Sequence, residues 1–147
     1  MISIQQELLY ELISDAEKLF ADHHQETIGN ELEFTPDWNY YAANEQAGTL
    51  RIYTARDGGE LIGYAVFFVM PHRKHSKSVF AVSDAIYLRP DKRGLINFNL
   101  LSSFAENQLK AEGVFKIMVT FPVKKDTSPI WYRRGYKDDE KTMSKLL

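Results

Sequence analysis

An α/β fold with a mixed, mostly antiparallel sheet flanked by helices is predicted by three observations. Residues 49–88 hold three apolar runs joined by short turns, the pattern of an antiparallel meander. A helix-period segment follows at 95–112, and then a fourth apolar run at 114–121. A strand reached through a helix lies parallel to the strand before it, in a right-handed crossover.

The elements follow in order. Residues 4–23 read as a helix, because Leu8, Leu9, Leu12, Ile13, Ala16, Leu19, Phe20 and His23 recur at helical spacing, with Glu7, Glu11, Asp15 and Lys18 opposite. Gly29-Asn30 and Thr35-Pro36 mark a loop, and Pro36 suits the start of a short helix with Thr35 as its cap. That helix carries Trp38, Tyr40 and Tyr41 to near Gly48. Packing onto the sheet is the preferred reading of these aromatics, and lining a substrate groove is the other.

Residues 49–56 alternate, Asp57-Gly58-Gly59 is a hairpin turn, and residues 60–70 return until Pro71. A basic loop at 72–77 leads into the third strand, 78–88. In the second strong helix Phe98, Leu101, Ala105 and Leu109 share a face, and Gly113 is its stop signal. Pro122 ends the strand 114–121; a short helix at 127–134, a turn at Gly135 and a last strand at 136–147 complete the expectation. No repeat or linker interrupts this order, so one domain is expected over 1–147.

Composition narrows the function. Hydrophobic content of 44% with 26% charged residues is that of a globular chain. A net charge of −2 argues against a nucleic-acid partner held by bulk phosphate attraction. The absence of cysteine excludes disulfides, thiolate metal sites and a cysteine nucleophile, and suits a reducing cytosol. No basic, apolar leader and no membrane-length run is seen, so a cytoplasmic protein without a membrane partner is expected.

The most informative stretch runs from 79 to 101. A strand breaks at Arg89-Pro90, passes a basic turn at Lys92-Arg93-Gly94 and opens directly into a helix. The first turn of a helix has free backbone N–H groups and partial positive charge, so an anion, such as a pyrophosphate, is the expected guest.

The run Asp84-Ala85-Ile86-Tyr87-Leu88-Arg89-Pro90-Asp91-Lys92-Arg93-Gly94 and the segment Ile130-Trp131-Tyr132-Arg133-Arg134-Gly135-Tyr136 resemble two motifs of the GCN5-related N-acetyltransferase (GNAT) superfamily. The resemblance covers nearly the whole chain. With the segment Asp22-His23-His24-Gln25-Glu26 and the strand at 60–70, it is similar above all to small acetyltransferase-like proteins of tailed bacteriophages. It implies a GNAT-like sheet with a splayed parallel pair of central strands. It implies acetyl-CoA between strands 78–88 and 114–121, along Ile86, Tyr87 and Leu88, with its pyrophosphate on Arg93, Gly94, Leu95, Ile96, Asn97 and Phe98. It also implies direct attack by an amine, from a protein lysine or a small molecule. The host cytoplasm is the expected location if the gene is phage-borne.

Two departures stand out. Ile96 and Phe98 occupy loop positions where the family carries glycine or alanine, and Trp131 stands where it carries the tyrosine that protonates the leaving thiolate. Tyr132, one step along, is the alternative acid. Asp84, inside an apolar strand, is the first candidate base, since burial raises a carboxyl pKa; its alternative role is to bind local backbone groups or an arginine. His23 and His24 are the next candidates, having a pKa near neutrality. A polar pair lining a cleft is preferred to a metal site there, because no third ligand is placed by spacing.

The expected function is therefore acetyl-CoA-dependent N-acetyl transfer without a metal. The rival is a catalytically degenerate GNAT-fold binding or structural protein, a host-interaction or virion component. A spare sheet edge permits a homodimer.

Overall fold

A computed structural model describes residues 1–147. The elements are β1 (Ile2–Gln6), α1 (Leu9–Thr27), α2 (Trp38–Gln46), β2 (Leu50–Asp57), β3 (Glu60–His72), β4 (His75–Leu88), α3 (Leu95–Ala111), β5 (Lys116–Met118) and α4 (Ser128–Tyr132). The strands form one sheet in the order β1-β2-β3-β4-β5, antiparallel except for the parallel pair β4–β5. The meander and the parallel crossover expected from the sequence are both present.

Alternation along the strands separates two cores. Leu50 and Ile52 of β2 and Tyr64 and Val66 of β3 face α1, where Leu9, Leu12, Ala16 and Leu19 bury the helix stripe. Tyr53, Ala55, Ala65, Phe67 and Val69 face the other way, against Leu101, Ala105 and Leu109 of α3. Each fully buried leucine contributes roughly 1.5–3 kcal/mol relative to exposure. The helix α3 stops at Gly113, which takes φ +87°. There Val114 N–H donates to the Leu109 carbonyl (3.0 Å) and Gly113 N–H to the Lys110 carbonyl (3.1 Å), satisfying the last turn.

Several boundaries differ from those expected. The first helix starts at Leu9, not residue 4; Ile2–Gln6 is a strand paired with β2, whose Ile2 and Ile4 pack on the α3-side core. Glu7, 6% exposed, fixes the turn between β1 and α1 by accepting from Arg56 Nε and Nη2 (2.6 and 3.0 Å). The second helix is capped by Asp37, whose carboxylate accepts from Tyr40 N–H (3.0 Å), rather than by Thr35. The basic loop 72–77 narrows to a turn at Arg73-Lys74, because the strands continue to His72 and from His75.

The strand expected at 114–121 pairs only at Lys116–Met118, and the short helix covers Ser128–Tyr132. The last strand expected at 136–147 does not form: residues 137–147 are irregular and exposed. Their sequence does not alternate, and a three-residue β5 offers little edge to pair with.

Candidate active site

Two local features of β4 build the site. The first is a bulge: Phe67 pairs with Ser83 and Val66 with Ala85, so Asp84 is the extra residue on β4. The bulge breaks strict alternation, and Asp84 and Ala85 both face one cavity, on the α1 side of the sheet.

The second feature is a free edge. Beyond Val82, β4 has no β5 partner; there Thr120 N–H donates to Ser83 Oγ instead (3.0 Å). Arg89 N–H donates to the Ile62 carbonyl on β3 (2.8 Å), so the Leu88 carbonyl of the same trans peptide points away from β3. Alternation then places the backbone groups of Ile86 and Leu88 on the free edge, and those of Tyr87 toward β3. Gly63 permits that approach: a Cβ there would lie 2.6 Å from the Tyr87 carbonyl and 2.5 Å from Leu88 Cδ2.

The cavity has a volume of about 200 Å³. Its floor is apolar and buried, with Leu12, Ile52, Tyr64 and Val66. Its sides carry Phe20, Trp38 and Tyr41, packed ring to ring: Phe20 lies 5.6 Å from Trp38 and 5.3 Å from Tyr64, and Trp38 5.6 Å from Tyr41. Phe34 and Asp84 are exposed members of the rim. Of the three aromatics expected on the second helix, Trp38 and Tyr41 both pack on the sheet side and line the cavity, whereas Tyr40 is exposed, beside Phe68 at 5.8 Å, and does not line it.

Asp84, His23 and His24 all line it. Tyr41 donates its hydroxyl to Asp84 Oδ2 (2.7 Å). Burial pushes the Asp84 carboxyl above the usual range, and the Tyr41 hydrogen bond opposes that shift. Asp84 keeps solvent access from the rim, so this burial is partial. The Tyr41 hydroxyl is itself pushed up, by burial and then by the carboxylate it serves.

His23 is hydrogen-bonded through Nδ1 to the Tyr64 hydroxyl (2.8 Å) and stacks on Tyr87 at 4.8 Å. Burial pulls its pKa down to about 4; Glu26 opposes this, and Arg93 and His24 add to it. The ring is neutral near pH 7. His24 donates from Nε2 to the Leu32 carbonyl (2.7 Å) and so ties the loop after α1 to the helix end. No group of three or more His, Cys, Asp or Glu side chains is placed to hold a metal ion.

The turn into α3 adjoins this site through Tyr87. Arg93 lies 5.3 Å from the Tyr87 ring centroid. Its Nε donates to the free-edge carbonyl of Leu88 (2.8 Å), and its Nη2 donates to both Glu26 oxygens (2.9 and 2.8 Å). Gly94, in extended backbone, precedes the helix and leaves the first turn without a side-chain cap. The amides of Leu95, Ile96 and Asn97 therefore have no intrahelical acceptor. Asn97 braces the turn by donating from Nδ2 to the Lys92 carbonyl (2.8 Å), and Phe98 packs edge-on against Trp131 at 4.9 Å.

The C-terminal motif is placed apart from the cavity. Trp131 is a core residue, 6% exposed, with Nε1 donating to Thr127 Oγ1 (3.2 Å). Tyr132 is half exposed, donates its hydroxyl to Asp138 and is not among the cavity-lining residues. That hydrogen bond pushes the Tyr132 hydroxyl upward. Sequence reasoning missed Tyr64 as a cavity residue and Tyr41 as the partner of Asp84. Tyr64 shares the face of Val66 by strand alternation, a signal present in the sequence; the Tyr41–Asp84 contact spans 43 residues and has no local signal.

No family model matches this sequence, and no curated protein matches it. Solved structures do match in fold. A transcriptional regulator from Bacillus halodurans C-125 superposes with a TM-score of 0.79 at 15% identity, covering 100% of each chain. A ribosomal-protein-alanine N-acetyltransferase from Brucella melitensis biovar Abortus 2308 gives 0.72 at 17% identity, covering 100% of this chain and 99% of the other. A predicted acetyltransferase from Clostridium acetobutylicum, solved with acetyl-CoA, gives 0.70 at 16% identity, covering 99% and 96%. Along essentially its whole length, the chain has the GNAT-like α/β fold that its sequence resembles.

Proposed function

We propose that this protein is an acetyl-CoA-dependent N-acetyltransferase that uses Asp84 as the proton acceptor for an amine bound in the α1-side cavity. The observation that carries this reading is the placement of Asp84: a carboxylate raised by burial, fixed by Tyr41, on the strand whose free edge leads to an uncapped helix turn. The fold it shares with acetyltransferases, one of them solved with acetyl-CoA, supports it.

The residues present fit the co-substrate. The edge groups of Ile86 and the Leu88 N–H offer backbone pairing, the Leu88 carbonyl being already taken by Arg93 Nε (2.8 Å), and the first-turn amides at 95–97 offer donors for a pyrophosphate. Those donors survive the exchange of loop glycines for Ile96 and Phe98, because they are backbone groups. Arg93 brings a cation to the same edge, shared with Glu26. Acetyl-CoA would supply a thioester carbonyl at which an amine nitrogen forms the new C–N bond as the C–S bond breaks, the second proton lost by the nitrogen passing to the departing sulfur.

Asp84 accepts the proton that the ammonium must lose, and Tyr41 holds the carboxylate in place. Neutral His23 fixes Tyr64 and adds no positive charge where an ammonium must approach. Tyr132, held by Asp138, takes no part in this reading. A second reading, a binding protein on an acetyltransferase fold, draws on Trp131, a core side chain where the resemblance places a tyrosine acid.

Release of free thiol from acetyl-CoA across a panel of primary amines tests the proposal. The proposal expects turnover with at least one amine and a loss of about 100-fold in kcat/KM for Asp84→Asn. Turnover that is unchanged in Asp84→Asn removes its role as base.

A further inference from the structure

The α1-side cavity has a chemistry that selects among amines. Its floor consists of buried aliphatic and aromatic side chains, and its sides are a continuous set of aromatic rings. The polar atoms it offers are few and mostly engaged. The Tyr41 hydroxyl is given to Asp84, His23 Nδ1 and the Tyr64 hydroxyl are given to each other, and His24 Nε2 is given to the Leu32 carbonyl. Thr27 donates its hydroxyl back to the His23 carbonyl (3.0 Å). What remains for a ligand is one carboxylate, Asp84, at the edge of an apolar chamber, with the second ring nitrogens of His23 and His24 also without a partner.

Building on the acetyl-transfer reading, we infer that the acceptor is a small primary amine carried on an apolar body of about one ring's size, an arylalkylamine or short alkylamine, with its ammonium on Asp84 and its body among Phe20, Trp38, Tyr41 and Ile52. Volume, charge and hydrogen-bonding capacity converge on this class. A cavity of about 200 Å³ is only slightly larger than apolar protein cavities of about 150 Å³ that hold a benzene molecule. A polyhydroxylated aminosugar carries more hydroxyls than Asp84 and two imidazole nitrogens can serve, and each hydroxyl left against the apolar walls disfavours binding. A polyamine would bring a second cation to a chamber with one carboxylate. The aromatic faces also favour an ammonium lying near them.

The inference is tested by ligand binding without acetyl-CoA, so that it stands or falls separately from the reaction. Two tryptophans are present, one in the cavity (Trp38) and one in the α3-side core (Trp131). Fluorescence titration with 2-phenylethylamine is expected to report saturable binding at least tenfold tighter than with glucosamine, spermidine or a lysine-containing peptide. Ala85→Phe, which fills the cavity from β4, is expected to abolish that binding. Asp84→Asn is expected to weaken 2-phenylethylamine at least tenfold while leaving the uncharged analogue 2-phenylethanol unchanged; this arm also controls for misfolding.

Equal or tighter binding of glucosamine, spermidine or the peptide overturns the inference. So does 2-phenylethylamine binding that survives Ala85→Phe in a variant with unchanged melting temperature. Amine binding as expected without any thiol release would overturn the reaction reading and leave the ligand class standing. Thiol release with hydrophilic amines alone would do the reverse.

Discussion

The Tyr41 hydroxyl lies 2.7 Å from Asp84 Oδ2 and joins the second helix to the bulge of β4. This contact sets the protonation of the carboxylate, because it stabilises the ionised form against the burial that disfavours it. Tyr41→Phe removes the opposing effect, so the Asp84 pKa rises further. A base must be ionised to act, and the acid limb of the kcat/KM profile therefore moves to higher pH. On the acid side of that limb the variant is expected to lose about tenfold in kcat/KM, as for one hydrogen bond to a charged group, and to recover as the pH rises past it. A pH–rate profile checks this.

His23 gives a stability prediction with a definite sign. Its folded pKa, about 4, is depressed from 6.5 chiefly by burial. The unfolded chain therefore takes up a proton at a higher pH than the folded one. The His23 contribution is fully present above about pH 6.5 and is lost as pH falls toward 4, by up to about 3 kcal/mol. Urea unfolding of the wild type and of His23→Gln at pH 7, 6, 5 and 4 is expected to show a flatter pH dependence in the variant over that window.

Much of the architecture follows from patterns of a few residues. The meander, the long helix ending at Gly113 and the parallel return of β5 are local periodicities plus connection lengths, and they are present as read. The elements misread are those whose fate depends on distant partners. Residues 2–6 are too short to declare a strand, and their identity is set by pairing with β2, Ile2 with Asp57 through Gln6 with Tyr53, far along the chain. The tail at 137–147 carries no alternation and finds no edge. The site divides in the same way. The cavity side of α1 is legible because His23 continues its apolar stripe, and Asp84 is visible as a charge in an apolar strand. The bulge, the Tyr41 contact and the Arg93–Glu26 pair are long-range events that periodicity does not encode.

That last pair offers its own test. Arg93 stands on the free edge of β4 but shares its guanidinium with Glu26 at 2.8 Å. Both side chains keep solvent access, so the pair contributes no more than about 1 kcal/mol to folding. Glu26→Gln is expected to change stability by less than that. It is also expected to tighten acetyl-CoA several-fold, because a carboxylate no longer competes with phosphate for Arg93. Calorimetric titration beside urea unfolding separates the two effects.

The turn opening α3 is expected to hold acetyl-CoA through its free amides. Leu95→Pro probes it directly. Proline at the first helical position deletes one N–H that has no intrahelical acceptor, and the extended Gly94 before it tolerates the ring. The measurement is calorimetric titration of acetyl-CoA into the wild type and Leu95→Pro, with melting temperatures in the absence of ligand. Saturable wild-type binding, an affinity loss of about tenfold in Leu95→Pro and unchanged melting are the predicted result. No binding to the wild type at millimolar acetyl-CoA, or equal affinity in the two proteins, would contradict it.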